Sequence, residues 1–206
     1  MWTSLSNWRS CARTLPFGMA KPVETLLEQD ARLSARLRLS APQAGQRGGA
    51  GWAAAVVLAH SGDSWLWMGL LGLVWLLGSP EWHSKAALLI LAVGGQALVI
   101  FALKQVIRRE RPQGEWGGIY RAIDPHSFPS GHATRAALLA VCAIGLGPAW
   151  LGLLLAVWSP LVSLARVATG VHYLSDILAG ALLGVLMGLF ALAVQGLALQ
   201  IFPFMF

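Results

Sequence analysis

Five long apolar stretches fill most of this chain beyond its first third, at about residues 64–79, 86–106, 132–147, 148–166 and 174–200. A helix needs about 20 apolar residues to cross a bilayer, with a range of about 17–25. Backbone amides in hydrocarbon must be satisfied within their own segment, which a helix achieves. The first and third runs are short and need flanking residues to cross. The connections are brief: Ser79–Ser84, Gly147-Pro148 and a break near Gly170. Short turns predict antiparallel neighbours. Gly180, Ala181, Gly184 and Gly188 in the last run predict a close helix–helix approach. The expected fold is an all-α integral membrane protein, a bundle of about five transmembrane helices. Residues 52–60 are apolar but too short to span, and Ser61-Gly62-Asp63 breaks the pattern, so a short interfacial or re-entrant helix is expected there. A sixth span hidden in 45–63 is the alternative.

Composition agrees. Of 206 residues, 56% are hydrophobic and only 12% charged, against about 25% charged in a soluble domain. Too few polar side chains exist to cover a soluble globule, and the ten Trp suit the membrane–water boundary. The net charge of +6 calls for an anionic partner. In so apolar a chain that partner is a lipid headgroup or a phosphorylated lipid, not nucleic acid. Cys11 and Cys142 form neither a disulfide framework nor a metal motif.

Residues 1–50 form a separate polar and amphipathic segment, ahead of a membrane domain at 51–206. Within it, 22–40 reads as a helix with an apolar stripe of Val23, Leu26, Leu27, Leu33 and Leu37. Its acidic residues precede its basic ones, which complements the helix dipole. Such a helix either lies on the headgroups or packs on the rest of the protein; amphipathicity alone does not decide. Residues 41–51 read as a flexible linker.

Three polar clusters border the apolar runs, where charge is costly and usually functional. The first is Lys104-Gln-Val-Ile-Arg108-Arg109-Glu110-Arg111-Pro112. Helical spacing places Lys104, Arg108 and Arg111 on one face, with Pro112 ending the helix. Three convergent cations suit a phosphate; a positively charged helix flank explains them equally. The second cluster is Pro129-Ser130-Gly131-His132. Ser130 suits a helix cap, Gly131 allows an anion to approach the helix N-terminus, and His132 adds a titratable group. A plain cap accounts for the Ser but not the His. The third cluster runs from Arg166 through Gly170 and His172 to Asp176. A helical turn would align His172 with Asp176, so that a carboxylate orients an imidazole for attack. A buried pair that merely joins two helices is the bland reading. If the spans alternate across the bilayer, all three clusters lie on the same side.

Taken in order, these motifs resemble the type 2 phosphatidic acid phosphatase superfamily, the lipid phosphate phosphatases. The family pattern K-x6-R-P, P-S-G-H, S-R-x5-H-x3-D is met at every fixed position except Ala165, where the family usually has Ser. The resemblance covers the bundle from about residue 64 and leaves residues 1–50 aside. It implies a helical bundle and a reaction without metal or other cofactor. It also implies that His172 attacks phosphorus to form a phosphohistidine, that Asp176 orients His172, and that His132 protonates the leaving oxygen. Lys104, Arg111, Arg166, Ser130 and Gly131 would hold the phosphate.

The expected activity is removal of phosphate from a membrane lipid phosphate or diphosphate. A polyprenyl (di)phosphate comes first as substrate; phosphatidate or phosphatidylglycerol phosphate comes next. A lipid phosphotransferase of the same superfamily and a non-catalytic lipid-phosphate binder or transporter are the alternatives. Location in the cell membrane as a multi-pass protein follows. In a five-span arrangement every Lys and Arg except Lys85 lies on the side of the clusters, so the positive-inside rule places that side in the cytoplasm.

Overall fold

The computed structural model describes residues 20–42, 48–112 and 124–205. The helices run α1 Ala20–Leu37, α2 Ala50–Ser61, α3 Ser64–Leu77, α4 Pro80–Ile107, α5 Gly131–Leu146, α6 Ala149–Ala168, α7 Leu174–Ala193 and α8 Gln195–Ile201. The protein is an all-α membrane bundle. Among the described residues, three helices are long and apolar enough to cross unaided, α4, α6 and α7, while α2, α3 and α5 are shorter apolar helices. The short helix expected at 52–60 is α2, and Gly62-Asp63 forms the turn between α2 and α3.

Helix α5 is the axis of the bundle. Ala133 through Ala140, with Cys142 and Ala143, are all buried. It packs most extensively on α7 and α6. Small residues make this possible: a Cβ on Gly180 would lie 2.6 Å from the Ser130 carbonyl, and one on Gly184 would run into the Thr134 carbonyl. Helix association in lipid relies on such backbone approach, because lipid tails are as apolar as leucine. The converse holds on the outer faces. Leu98, Leu153, Leu178, Leu182 and Phe190 are exposed, an apolar belt suited to lipid rather than water.

Two expectations about helix ends are corrected. The last apolar run is not one helix: α7 ends at Ala193, capped by Val194, and α8 begins at Gln195. The helix of the first cluster ends at Ile107, not at Pro112, because Arg108 adopts a left-handed conformation (φ 50°). The opposite end of the bundle is tied differently. Trp75 Nε1 donates to the Met205 carbonyl at 2.7 Å, and Lys85 pairs with Glu81 at 2.5 Å. Residues 1–19, 43–47 of the expected linker and 113–123 of the loop after the first cluster lie outside the described residues.

Candidate active site

The three clusters meet at one end of the bundle, around a cavity of about 280 Å³. Lys104 of α4, Arg111 beyond it, Gly131 and His132 at the start of α5, Arg166 of α6 and His172 between α6 and α7 all line it. Arg166 is fully buried. Ser130 and Asp176 stand behind this lining, both fully buried. The Ser130 hydroxyl caps α5 by accepting from Ala133 N (3.5 Å), and its own N–H donates to the Asp176 carbonyl at 3.0 Å.

The end of α6 explains how His172 is presented. Thr169 closes the helix, its hydroxyl donating to the Ala165 carbonyl at 2.8 Å. Gly170 then takes φ +75°, a conformation that glycine adopts without steric penalty. His172 therefore precedes α7 and is not part of it, contrary to the helical-turn argument. Asp176, in the first turn of α7, turns back toward the cap. Its Oδ2 accepts from Tyr173 N at 2.8 Å and lies 3.4 Å from His172 Nδ1.

The tautomer of His172 follows from its other nitrogen. Arg111 Nη1 lies 3.0 Å from Nε2. A guanidinium only donates, so Nε2 carries the lone pair and Nδ1 the proton. The Nδ1 side thus faces a carboxylate and the lone pair faces the cations. Burial, and then the Arg111, Arg166 and Lys104 cations, hold the proton affinity of this imidazole well below that of an ordinary histidine. It is a neutral base at physiological pH.

Asp176 is itself anchored. Arg109 Nη1 donates to its Oδ1 at 2.7 Å, and Arg109 Nη2 donates to Asp30 Oδ2 of α1 at 2.6 Å. The guanidinium lies 4.0 Å from the centre of the Tyr173 ring. Asp30 also accepts from Ser175 N at 3.0 Å, Ser34 Oγ accepts from Leu174 N at 2.9 Å, and Arg38 Nη2 donates to the Gly170 carbonyl at 2.9 Å. Helix α1 is thus a strap across the loop that carries His172. The choice left open by its amphipathicity resolves toward packing for its Asp30–Ser34 side. Leu26, Leu33 and Leu37 beside that side remain exposed.

Sequence spacing misplaced one arginine. Arg108, expected beside Lys104 and Arg111, is exposed, and Arg109 is buried in its place. The left-handed turn at Arg108 breaks the helical phase on which the expectation rested. Four further residues escaped notice as parts of a site. Asp124 Oδ2 bridges Lys104 Nζ and Arg111 Nη2. Asp63 Oδ1 accepts from His132 Nε2 at 2.7 Å. Arg135 is buried and donates from Nε and Nη2 to the Gly62 carbonyl at 3.0 and 2.7 Å. Asp30 is the fourth. For Asp63 the sequence does carry a signal, an ionisable residue between two apolar runs.

Comparison with known proteins gives a consistent set of relatives. The PAP2 superfamily profile matches residues 85–199. The chain is 35% identical over 153 residues to decaprenylphosphoryl-5-phosphoribose phosphatase of Mycobacterium tuberculosis, covering 68% of this chain and 77% of that one. It is 42% identical over 59 residues to undecaprenyl-diphosphatase of Sulfolobus acidocaldarius, 29% of each. Among solved structures, LpxE of Aquifex aeolicus superposes with TM-score 0.62 at 22% identity, covering 79% of this chain and 93% of that one. A transmembrane PAP2 type phosphatidylglycerolphosphate phosphatase of Bacillus subtilis superposes with TM-score 0.63 at 24% identity, covering 86% and 88%.

Proposed function

This chain belongs to the PAP2 superfamily and is a phosphatase, and from that premise we propose that it removes phosphate from a polyprenyl phosphate or diphosphate through a phosphohistidine at His172. The observation that carries the reading is the cavity itself. A neutral imidazole backed by a carboxylate faces Lys104, Arg111 and Arg166, and the same cavity is walled by Ile100 and Phe101. Phe101 is 64% exposed on the outer face of α4, so a phosphate among the cations has a lipid-facing wall beside it for an apolar tail. Two relatives named for decaprenyl and undecaprenyl substrates favour a polyprenyl chain over a diacylglycerol.

The steps follow from the groups present. Lys104, Arg111 and Arg166 bind the phosphate oxygens and the N–H groups at the start of α5, with Gly131 and the capping Ser130, complete the cradle. His172 Nε2 attacks phosphorus as the bond to the leaving oxygen breaks. His132 gives that oxygen a proton. Water then attacks the phosphohistidine, losing a proton to His132, and the phosphorus–nitrogen bond breaks to restore His172. Asp176 stabilises the positive imidazole ring in the intermediate. The transition-state charge is met by fixed cations, so the reaction needs no metal.

The test is phosphate release by purified protein in detergent from a panel: polyprenyl diphosphate, polyprenyl monophosphate, a polyprenyl-linked sugar phosphate, phosphatidate and phosphatidylglycerol phosphate. Release from the polyprenyl members is expected to persist in EDTA and to be inhibited by vanadate, which can take the five-coordinate geometry of the attacked phosphorus. Loss in EDTA that magnesium restores would refute the metal-free mechanism. Recovery of the phosphate on a second lipid instead of in water would make the enzyme a phosphotransferase.

We further propose a multi-pass protein of the cell membrane with its site on the cytoplasmic side and the 1–50 segment at the interface. The charge distribution supports this: among the described residues Lys85 is the one Lys or Arg at the far end of the bundle, whereas Arg108, Arg109 and Arg135 lie at the site end. In a variant lacking Cys11 and Cys142, a cysteine placed in loop 113–125 is expected to resist an impermeant thiol reagent in intact cells. Ready labelling there would put the site outside.

A further inference from the structure

A second histidine–carboxylate pair faces the first across the cavity. Asp63 sits in the turn between α2 and α3, and its Oδ1 holds His132 Nε2 at 2.7 Å. The carboxylate is held in turn: Oδ2 lies 3.0 Å from His60 Nδ1 and accepts from Trp65 Nε1 at 3.3 Å. The turn is fastened to α5 by Arg135, which donates to the Gly62 carbonyl and, at 2.5 Å, to Ser64 Oγ. Gly62 lets the imidazole lie against the turn, since a Cβ there would be 3.1 Å from His132 Cδ2. The Cδ2–Nε2 edge of the ring therefore packs on the turn, and the opposite edge carries Nδ1.

Resting on the phosphatase reading above, we propose that Asp63 is a positioning residue for the proton transfer, fixing His132 through Nε2 so that Nδ1 serves the leaving oxygen and the attacking water. The proton balance is explicit. In the first half-reaction Nδ1–H passes its proton to the leaving oxygen, while Nε2–H stays on the ring and on Asp63. In the second, Nδ1 takes a proton from the water that attacks phosphorus, and the imidazolium is restored. Asp63 remains a carboxylate throughout. Burial alone would raise its proton affinity, but the hydrogen bonds to His132 and His60 outweigh this and keep it ionised well below the usual carboxylate range.

The electrostatic need for such a partner is visible around the ring. Two cations face the His132 ring, Arg166 on α6 and Arg135 on its own helix. Lys104, Arg111 and His172 line the cavity beside it, with Asp124 across them. From α2 and the following turn come His60 and Asp63, and Asp63 is the carboxylate in direct contact. An adjacent negative charge favours the protonated imidazole that a general acid requires. The arrangement parallels Asp176 and His172, but the sense differs: Asp176 supports a nucleophile, Asp63 a proton donor.

Asp63→Asn keeps the shape and an acceptor for Nε2–H and removes the charge. On a lipid phosphate, whose alkoxide leaving group needs a proton, its kcat is expected to fall about 10²-fold, the low end of general acid catalysis, with KM within about threefold. On p-nitrophenyl phosphate, whose leaving group needs no proton, the loss in kcat/KM, which reports the first half-reaction alone, is expected to stay within about threefold, while kcat/KM on the lipid falls about 10²-fold. The alkaline limb of kcat on the lipid substrate is expected to move to lower pH by about one unit or more. The ratio between the two substrates is internal to the folded fraction, so partial misfolding cancels. Asp63→Glu, which restores the charge, is expected to return the alkaline limb to its wild-type position. An equal loss on both substrates with an unchanged pH limb, a limb displaced in Asp63→Glu as in Asp63→Asn, or wild-type kinetics in Asp63→Asn each overturns the proposal. Wild-type protein inactive on every lipid phosphate would instead overturn the phosphatase reading beneath it.

Discussion

His172→Ala is expected to reduce phosphate release by about 10⁴-fold or more, because it removes the attacking atom and not an auxiliary contact. Two other imidazoles line the cavity, His126 and His132; His132 has Nε2 committed to Asp63, whereas His172 alone of the three is placed against Asp176 among the described contacts. His172→Ala removes an imidazole that is buried and uncharged, so the fold should accumulate normally and be recoverable in detergent. Residual activity near that of wild type would end the phosphohistidine mechanism. The same residue sets the acid limb of the pH profile. A histidine whose proton affinity is depressed stays neutral as pH falls through 6.5 and is protonated only below that. Activity limited by the nucleophile should therefore survive past the ordinary imidazole value and fail only at lower pH. A limb at or above 6.5 would show that another group governs it.

Asp30→Ala should have the largest effect on stability, although Asp30 lies far from His172 in sequence. The side chain is 12% exposed and meets an Arg109 side chain that is 5% exposed. Removing one partner leaves a buried guanidinium less compensated, and such losses run to about 3–5 kcal/mol. The Ser175 N–H loses its acceptor as well. The strap then no longer bears on the loop that carries His172, so kcat in the surviving folded fraction should drop about tenfold through poorer positioning. Thermal unfolding in detergent and kcat, measured together, check both parts. Glu28→Ala is the control: its contact with Arg32 is 3.9 Å long between exposed side chains and is worth almost nothing. Asp30→Ala no worse than Glu28→Ala would show that the strap is dispensable.

Much of the membrane architecture was legible because hydrocarbon enforces long apolar helices, and those are easy to see in the sequence. The convergence of Lys104, Arg111, Arg166, His132 and His172 followed from span parity alone. What spacing could not supply was the behaviour of the chain where helices stop. Arg108 left the face expected for it because one residue left the helical conformation, and Arg109 was buried instead against Asp30 and Asp176. His172 and Asp176 came together through a helix cap, although their spacing of four residues suggested a continuous helix. The supporting carboxylates were harder still. Asp30 and Asp63 reach the site across 145 and 69 positions in sequence, and no local pattern records a contact of that separation.

The bridge formed by Asp124 has a consequence for ligand exchange. A carboxylate already neutralises part of the charge on Lys104 and Arg111, so an arriving headgroup does not meet bare cations. It must displace an anion, and it succeeds by carrying more charge than the one it replaces. On charge alone, a phosphate dianion is expected to displace the carboxylate more readily than a zwitterionic or singly charged headgroup. The same tethered anion is on hand when inorganic phosphate departs, so it can reclaim the cations and hasten release. Asp124 thus occupies, from within the chain, the cations that a phosphate headgroup would need.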